Sequence, residues 1–327
     1  MPHTALPPDM ETQIQALISR GEHFRAWAQL RDLVMADGLT RAVSHTIVKC
    51  AEQLDQTAAD LRVARIALLG SCTLDPLVPL LRARALAVRI VAETYVGQFN
   101  AWQQEVLSAD SGLRHFQPDV IFLAVRAEDV VPALVYRFLQ LDGSGVDAQI
   151  ADAAAALEGF FTALRQWSKA KVVVHSFPCP AFPALGILDH HLPSGQHAAF
   201  RKLNEVLAAV AQRAGDAWVI DCEGLIRDVG WSRWQDPRLW ALAKVPFSNV
   251  ALERLTVEYV KYLGAFWGYV RKVLVLDLDN TLWGGVIGED GLQAIQLGTE
   301  YPGSAFVDLQ RAILNLYDRG VVLAINS

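Results

Sequence analysis

Short apolar runs, separated by stretches with helical spacing, limit the folds that this chain can adopt. The first run ends at Gly70, and the later runs cover residues 87–93, 119–125, 171–177 and 217–221. A strand of a parallel sheet is buried on both faces, so its sequence is continuously apolar rather than alternating. The sequence therefore predicts an α/β domain in which helices cover both faces of a parallel sheet.

The chain has 327 residues, which is long enough for more than one domain. A helical N-terminal lead-in is predicted over residues 1–62, the α/β domain over 63–245 and a connecting helix over 246–271. Over residues 272–327 a new strand, a glycine-rich excursion, a helix and a second strand follow. This last region predicts the beginning of a further α/β domain.

Composition narrows the classes of protein. The net charge of −6 argues against a nucleic-acid reader, which carries a basic surface. The sequence shows no signal peptide and no apolar stretch of membrane-spanning length, so a cytoplasmic protein without membrane partners is expected. Four separated cysteines without a CxxC pair predict neither a zinc site nor a disulfide framework. A functional cysteine would therefore act alone.

Two carboxylates follow a predicted strand in the segment "VLVLDLDNTLWGG". Asp277 and Asp279 would lie at the carboxyl end of that strand, where ligands bind in open α/β sheets. A first carboxylate can attack phosphorus and form an aspartyl-phosphate, and a second can protonate the leaving oxygen and later activate water. Because two carboxylates repel a phosphate, a hard cation with oxygen ligands, Mg²⁺, is expected beside them.

The segment "DLDNTL" resembles the first motif of the haloacid dehalogenase (HAD) superfamily of phosphatases, and "WGGVIGEDG" is similar to the narrower FkbH-like group. The resemblance implies a HAD-type Rossmannoid domain with Asp277 as nucleophile and Asp279 as general acid/base, both binding Mg²⁺. It also implies phosphate-binding roles for Thr281 and for Ser327, which follows the second strand. The superfamily's later lysine and acidic motifs are not found up to Ser327, so weak or no phosphatase turnover is expected.

Most of the chain resembles the FkbH-like group, through "LLGSCTLDPL", "PDVIFLAV", "VVVHSFPCP" and "DPRLWALAKVPFS". Its members take a three-carbon acyl group, such as glyceryl or lactyl, from 1,3-bisphosphoglycerate and load it on an acyl carrier protein in polyketide or related biosynthesis. The resemblance implies two partners, an acyl phosphate and the phosphopantetheine thiol of the carrier. Such loading needs acyl transfer to a thiol as well as removal of phosphate.

A nucleophile for the acyl transfer is expected in the "GSCT" turn after the first apolar run. A thiol at the N-terminus of a helix has a lowered pKa and lies near free backbone N–H groups. Cys72 is therefore the first candidate for the acyl acceptor, and Cys179 is the second thiol candidate. The region also resembles SGNH-type hydrolases, which have a flavodoxin-like three-layer α/β fold and a nucleophilic serine after glycine. Ser71 is the competing candidate.

Other polar residues are expected to converge on that turn. His175, at the end of the fourth run, is the predicted base, although a histidine satisfied by its surroundings is an equal interpretation. Asp236 corresponds to a late SGNH aspartate, but Leu239 stands where those enzymes carry histidine, which disfavours an ordinary triad. Gly97 and Asn100 are candidate oxyanion donors, and a plain turn explains them equally well.

The sequence thus predicts an acyltransferase/phosphatase of FkbH type. Cys72 would take the acyl group with His175 as base, and phosphate would be handled at Asp277 and Asp279. Two alternatives stay open: an SGNH-like esterase that uses Ser71, and a non-catalytic protein that docks a carrier.

Overall fold

The computed structural model describes residues 8–36 and 38–326. The chain divides into two compact units, Met1–Leu263 and Gly264–Ser327. The predicted lead-in, the sheet domain and most of the connecting helix fall in the first unit. In the described ranges no helix combines the length and apolar character needed to cross a membrane.

A parallel five-stranded sheet forms the centre of the first unit, in the order β2-β1-β3-β4-β5. Each predicted apolar run overlaps one strand, which confirms the α/β class. The second strand begins later than its run, because a 3₁₀ turn comes first and Arg89 adopts left-handed backbone at φ 57°. The strands are β1 Arg62–Gly70, β2 Ile90–Val96, β3 Val120–Ala124, β4 Lys171–His175 and β5 Ala217–Ile220.

Helices surround this sheet and connect its strands. They are α1 Pro8–Ser19, α2 His23–Met35, α3 Arg41–Ala51, α4 Leu77–Ala85, α5 Trp102–Leu107, α6 Gly112–Phe116, α7 Ala127–Val130, α8 Pro132–Tyr136, α9 Gly143–Arg165, α10 Gln196–Ala214, α11 Cys222–Val229, α12 Trp231–Trp234, α13 Pro237–Ala243 and α14 Asn249–Phe266. Short 3₁₀ segments cover Leu86–Val88, Phe138–Gln140 and Gly186–His191.

Alternate side chains of the strands point to opposite faces of the sheet, and each face has its own core. On one face, residues such as Leu69, Leu123 and Val174 pack with Phe160 of α9 and Leu203 of α10 in a single apolar cluster. These buried faces explain why the strands are apolar throughout rather than alternating.

The predicted connecting helix, α14, is part of the core of the first unit. Leu252, Leu255, Tyr259 and Leu263 recur at helical spacing and are all buried. The ring of Tyr259 stacks on Phe122 of β3, with centroids 3.8 Å apart and planes at 10°. The helix therefore covers the second face of the sheet as well as leading to the next unit.

The second unit contains the predicted strand, helix and second strand. β6 Val273–Leu276 pairs in parallel with β7 Val322–Ile325, in the register Val273 with Val322. Two helices lie between these strands in the sequence, α15 Ile287–Asp290 and α16 Gly303–Asp318. This order agrees with the predicted beginning of a Rossmannoid domain.

Candidate functional site

A cleft of about 360 Å³ lies at the carboxyl edge of the five-stranded sheet. Parallel strands deliver the residues that follow them to one edge, which is the usual ligand position in such sheets. Arg126 comes after β3, His175 and Ser176 lie at the end of β4, and Cys222 comes after β5. The floor of the cleft thus combines a cation, an imidazole, a hydroxyl and a thiol.

The walls of this cleft are mainly apolar. Trp234 and Phe247 meet edge to face with centroids 5.9 Å apart, and both are nearly fully buried. The other large side chains in the walls are Val135, Phe182, Phe200 and Trp231. Such walls favour an organic ligand with a short apolar part over an ion alone.

Arg126 brings positive charge to the cleft. Its guanidinium pairs with Glu128 at 2.6 Å and lies over the ring of Trp240, 3.8 Å from the centroid. The stacking and the ion pair hold this long side chain in one place. A planar guanidinium suits an anionic ligand group such as a phosphate.

Among the described residues that line the cleft, Cys222 is the one cysteine, and no role was predicted for it from the sequence. It is the first residue of α11, directly after Asp221, which follows β5 and caps the helix, and its backbone N–H donates to Ser176 Oγ at 3.0 Å. Burial, and then the charge of Asp221, raise the thiol pKa to about 12, although hydrogen bonds from Ser176 lower it. The same pattern that singled out Cys72, a thiol after an apolar run, would have found it.

Cys72 differs from its predicted environment. The helix α4 begins only at Leu77, so Cys72 lies in the preceding loop and not at a helix N-terminus. Its Sγ faces the carbonyl oxygen of Ala124 at 3.9 Å, and burial raises its pKa to about 12 instead of lowering it. Cys179 is also buried, and burial raises its pKa to about 12. Among the described residues that line the cleft, Cys72 and Cys179 are both absent.

Ser71 lacks the partners of a nucleophilic serine. Its hydroxyl is buried and accepts a hydrogen bond from the Arg126 N–H at 2.9 Å. Asp236, the candidate triad acid, caps α13 by accepting from the N–H groups of Arg238 and Leu239. In the described chain no histidine hydrogen-bonds either residue, so the esterase alternative lacks its triad.

Gly70 sets the close approach of β1 and β3 beside Ser71. A Cβ atom at this position would lie 2.4 Å from the backbone oxygen of Ala124. We expect Gly70→Ala to lower the free energy of unfolding by about 1–3 kcal/mol, because backbone would have to move. Urea unfolding followed by circular dichroism measures this loss. In the control Gly159→Ala, inside α9 with open space around it, stability should stay unchanged or rise.

The candidate oxyanion donors lie away from the cleft. The N–H of Gly97 already bonds to the carbonyl oxygen of Leu68 at 2.9 Å, continuing the sheet, so it is not available to a ligand. Asn100 is exposed and adopts left-handed backbone at φ 53°, as in a turn. Both follow β2, at the edge of the sheet away from β4 and β5.

His175 lies where it was predicted, but the role of base does not suit it. The ring is buried beneath the cleft, and its Nε2 lies 2.6 Å from the hydroxyl oxygen of Tyr259. Burial lowers the imidazole pKa to about 3, so the ring is neutral and accepts protons poorly at pH 7. Tyr259 comes from α14, and no local motif pointed to it.

In the second unit, Asp277 and Asp279 follow β6 as predicted. Asp277 is exposed, and one of its oxygens accepts from the Leu278 N–H. Asp279 is half-buried, and its Oδ1 accepts from Trp283 Nε1 and from the Ile287 N–H. The neighbouring excursion therefore holds one carboxylate in place and leaves the other open to solvent.

These two carboxylates fit the oxygen ligands that Mg²⁺ takes in proteins, since that ion binds through one or two carboxylates and keeps several waters. No larger group of metal-binding side chains occurs in residues 8–36 and 38–326. Thr281 is half-buried in the turn after Asp279, with its N–H bonded to Leu278 O. Ser327, the other predicted phosphate ligand, lies outside the described residues.

Known structures resemble this fold. The N-terminal part of the protein BF1531 from Bacteroides fragilis, described as containing a phosphatase domain complexed with Mg, is 22% identical, covers 85% of this chain and 72% of its own, and has a TM-score of 0.71. A lipase from a goat rumen metagenome is 11% identical, covers 61% of this chain and 98% of its own, and has a TM-score of 0.44. The first likeness shows a shared fold, and the second is too distant to carry an argument.

A comparison with curated proteins found no significant match. The model of the FkbH N-terminal domain matches residues 65–260, a range that includes most of β1, all of β2 to β5, and Tyr259. This match covers more than half of the chain, and the chain therefore belongs to the FkbH family.

Proposed function

We propose that this protein is an acyltransferase/phosphatase that takes a three-carbon acyl group from 1,3-bisphosphoglycerate and passes it to the thiol of an acyl carrier protein. The observation that carries the proposal is the cleft at the sheet edge, where Cys222, Ser176 and Arg126 meet apolar walls. Membership of the FkbH family supports the same reaction class. The bound acyl group would be glyceryl, because transfer and loss of phosphate leave both hydroxyl oxygens of the substrate in place.

Cys222 replaces Cys72 as the proposed acyl acceptor, because Cys222 lines the cleft and Cys72 does not. In the proposed step Cys222 Sγ attacks the acyl carbon, the bond between that carbon and the phosphate oxygen breaks, and the thiol proton leaves with inorganic phosphate. The thioester linkage itself carries no charge, so the sulfur in this form suits an apolar site better than a thiolate does.

Arg126 is the proposed partner of the phosphate leaving group. Its guanidinium is fixed by Trp240 and Glu128, and it lies in the lining of the same cleft as Cys222. A fixed cation beside the breaking bond stabilises the charge that develops on the leaving phosphate. After acylation, the carrier thiol would attack the same carbonyl and release Cys222.

The second phosphate of the substrate is proposed to be removed at Asp277 and Asp279. Asp277 would act as nucleophile, and Asp279, held by Trp283 and Ile287, would act as acid and base. Mg²⁺ bound by these carboxylates would neutralise the charge of the phosphate. The phosphatase domain with Mg described for the BF1531 fragment supports this part of the proposal.

Intact-protein mass spectrometry tests the acylation step. After incubation with 1,3-bisphosphoglycerate we expect a mass gain equal to one phosphoglyceryl group, or to one glyceryl group where the second phosphate has been removed. The gain should be absent in Cys222→Ala and present in the control Cys50→Ala, whose thiol is buried in helix α3 of the lead-in. Peptide mapping should place the adduct on Cys222. A mass gain that persists in Cys222→Ala and disappears in Cys72→Ala would identify Cys72 as the acyl acceptor. The absence of a mass gain in the unmodified protein and in every variant would reject the proposed reaction.

The esterase alternative predicts a different result. An esterase would turn over simple esters, with activity lost in Ser71→Ala and kept in Cys222→Ala. Because Ser71 has no histidine partner in the described chain, we expect no such turnover.

A further inference from the structure

His175 and Tyr259 form a buried pair beneath the cleft. Their hydrogen bond joins Nε2 and the hydroxyl oxygen at 2.6 Å, and Tyr259 is fully buried. Phe122 holds the phenol ring by parallel stacking at 3.8 Å. The pair comes from β4 and α14, which lie far apart in the sequence.

The direction of this hydrogen bond follows from the surroundings of the phenol. A buried hydroxyl donates to an acceptor, because an unsatisfied donor in an apolar core is costly. In the part of the chain that the structure describes, His175 is the one hydrogen-bond partner of the Tyr259 hydroxyl. The stacked face of Phe122 lies parallel to the phenol ring and out of the plane of the O–H bond. Tyr259 therefore donates its proton to Nε2.

A ring nitrogen that accepts a hydrogen bond carries no proton. Burial lowers the pKa of His175 to about 3, so at pH 7 the ring is neutral and has one N–H group. Burial also raises the pKa of Tyr259, which keeps the phenol protonated. With Nε2 as acceptor, the ring proton must be on Nδ1. Among the described residues Nδ1 has no hydrogen-bond partner, and His175 lines the cleft.

We propose that Tyr259 is a positioning residue that fixes His175 as the Nδ1–H tautomer, so that the cleft offers a ligand a neutral hydrogen-bond donor. The natural acceptor is the carbonyl oxygen of an acyl group, and this ligand assignment rests on the proposed function. In the proposed acyl transfer, Nδ1–H would donate to that oxygen as negative charge develops on it. His175 then polarises the carbonyl, and the thiol proton goes to the phosphate.

Nuclear magnetic resonance identifies the tautomer of His175 directly and does not require an activity assay. In the full chain labelled with ¹⁵N-histidine, long-range ¹H–¹⁵N correlations at neutral pH should show a protonated Nδ1 and an unprotonated Nε2 for His175. The His175→Asn spectrum assigns its signals among the eight histidines. In Tyr259→Phe the two nitrogens should shift toward a mixture of tautomers. A protonated Nε2 in the unmodified protein would overturn the proposal.

Tyr262→Phe is the matched control. Tyr262 lies one turn further along α14, and its hydroxyl donates a hydrogen bond to the Val219 carbonyl oxygen at 3.0 Å rather than to His175. This variant should leave the His175 nitrogen signals unchanged. The same shift in Tyr262→Phe and Tyr259→Phe would show a general loosening of α14 and would contradict the specific role of Tyr259.

Acylation kinetics test the donor role separately. Both test variants carry Tyr259→Phe, so that no buried hydroxyl is left without its acceptor. In the variant with His175→Asn, the side-chain amide keeps a donor near the position of Nδ1 but cannot act as a base. We expect its acylation rate to be within about tenfold of the rate of Tyr259→Phe alone. With His175→Leu we expect a fall of about 10²–10³-fold. An equal fall in both would refute the donor role. If no variant or parent is acylated, the proposed function fails while the spectra still decide the tautomer.

Discussion

Truncation of Phe122 to alanine is expected to lower the free energy of unfolding by about 3–5 kcal/mol. Phe122 is fully buried in β3, and its ring stacks on Tyr259 of α14. Its removal leaves a cavity between the sheet and the helix that covers it. Urea unfolding monitored by circular dichroism and by tryptophan fluorescence measures the loss.

The matched control is Phe182→Ala, in which the same ring is removed from an exposed position. Phe182 is 92% exposed, so its truncation should change stability by no more than about 0.5 kcal/mol. Similar losses for the two variants would mean that α14 does not pack on the sheet as described. The Phe122 variant should also loosen the hydrogen bond between Tyr259 and His175, because the stacked ring orients the phenol.

Alkylation of Cys222 in the folded protein is expected to accelerate about tenfold per pH unit between about pH 7 and pH 9, a total of about a hundredfold. The thiolate is the reactive form, and burial raises the pKa of this thiol to about 12. Over this range the thiolate fraction is therefore small and proportional to hydroxide concentration. Iodoacetamide labelling followed by peptide mass spectrometry gives the rate for Cys222 alone.

Protein unfolded in urea is the reference for this pH dependence. There the Cys222 thiol titrates near its ordinary pKa, so its rate should level off above about pH 9. A rate in the folded protein that levels off near pH 8 would show that the thiol is not desolvated. The low reactivity is consistent with the proposed acylation, since that step gives the thiol proton to the leaving phosphate.

The sheet could be predicted from the sequence because its strands are buried on both faces, which leaves continuous apolar runs such as 119–125. The positions of His175, Asp277 and Asp279 at strand ends followed from the same pattern. Helix α14 was predicted as a helix, but its packing on the sheet depends on distant residues such as Phe122. Periodicity does not report which surface an apolar helical face will meet.

The site was harder to predict because burial, which sets its chemistry, is a property of the folded chain. The "GSCT" turn suggested an activated thiol, yet Cys72 lies five residues before α4 and is buried. Cys222 follows a strand and begins a helix, so the pattern of a thiol at a helix N-terminus after an apolar run could have identified it. Tyr259 had no local pattern at all, since its role comes only from its contact with His175.

The packing of α14 on the sheet also decides where this protein can be divided. A fragment that ends at residue 245, the predicted end of the sheet domain, would contain His175, Cys222 and Arg126 but not Tyr259. A fragment ending there would expose Phe122 and leave His175 Nε2 open to water. A fragment that keeps the chemistry of the cleft must therefore include Tyr259, which lies in the first unit, Met1–Leu263. The helix that was predicted to connect two domains thus belongs functionally to the first unit.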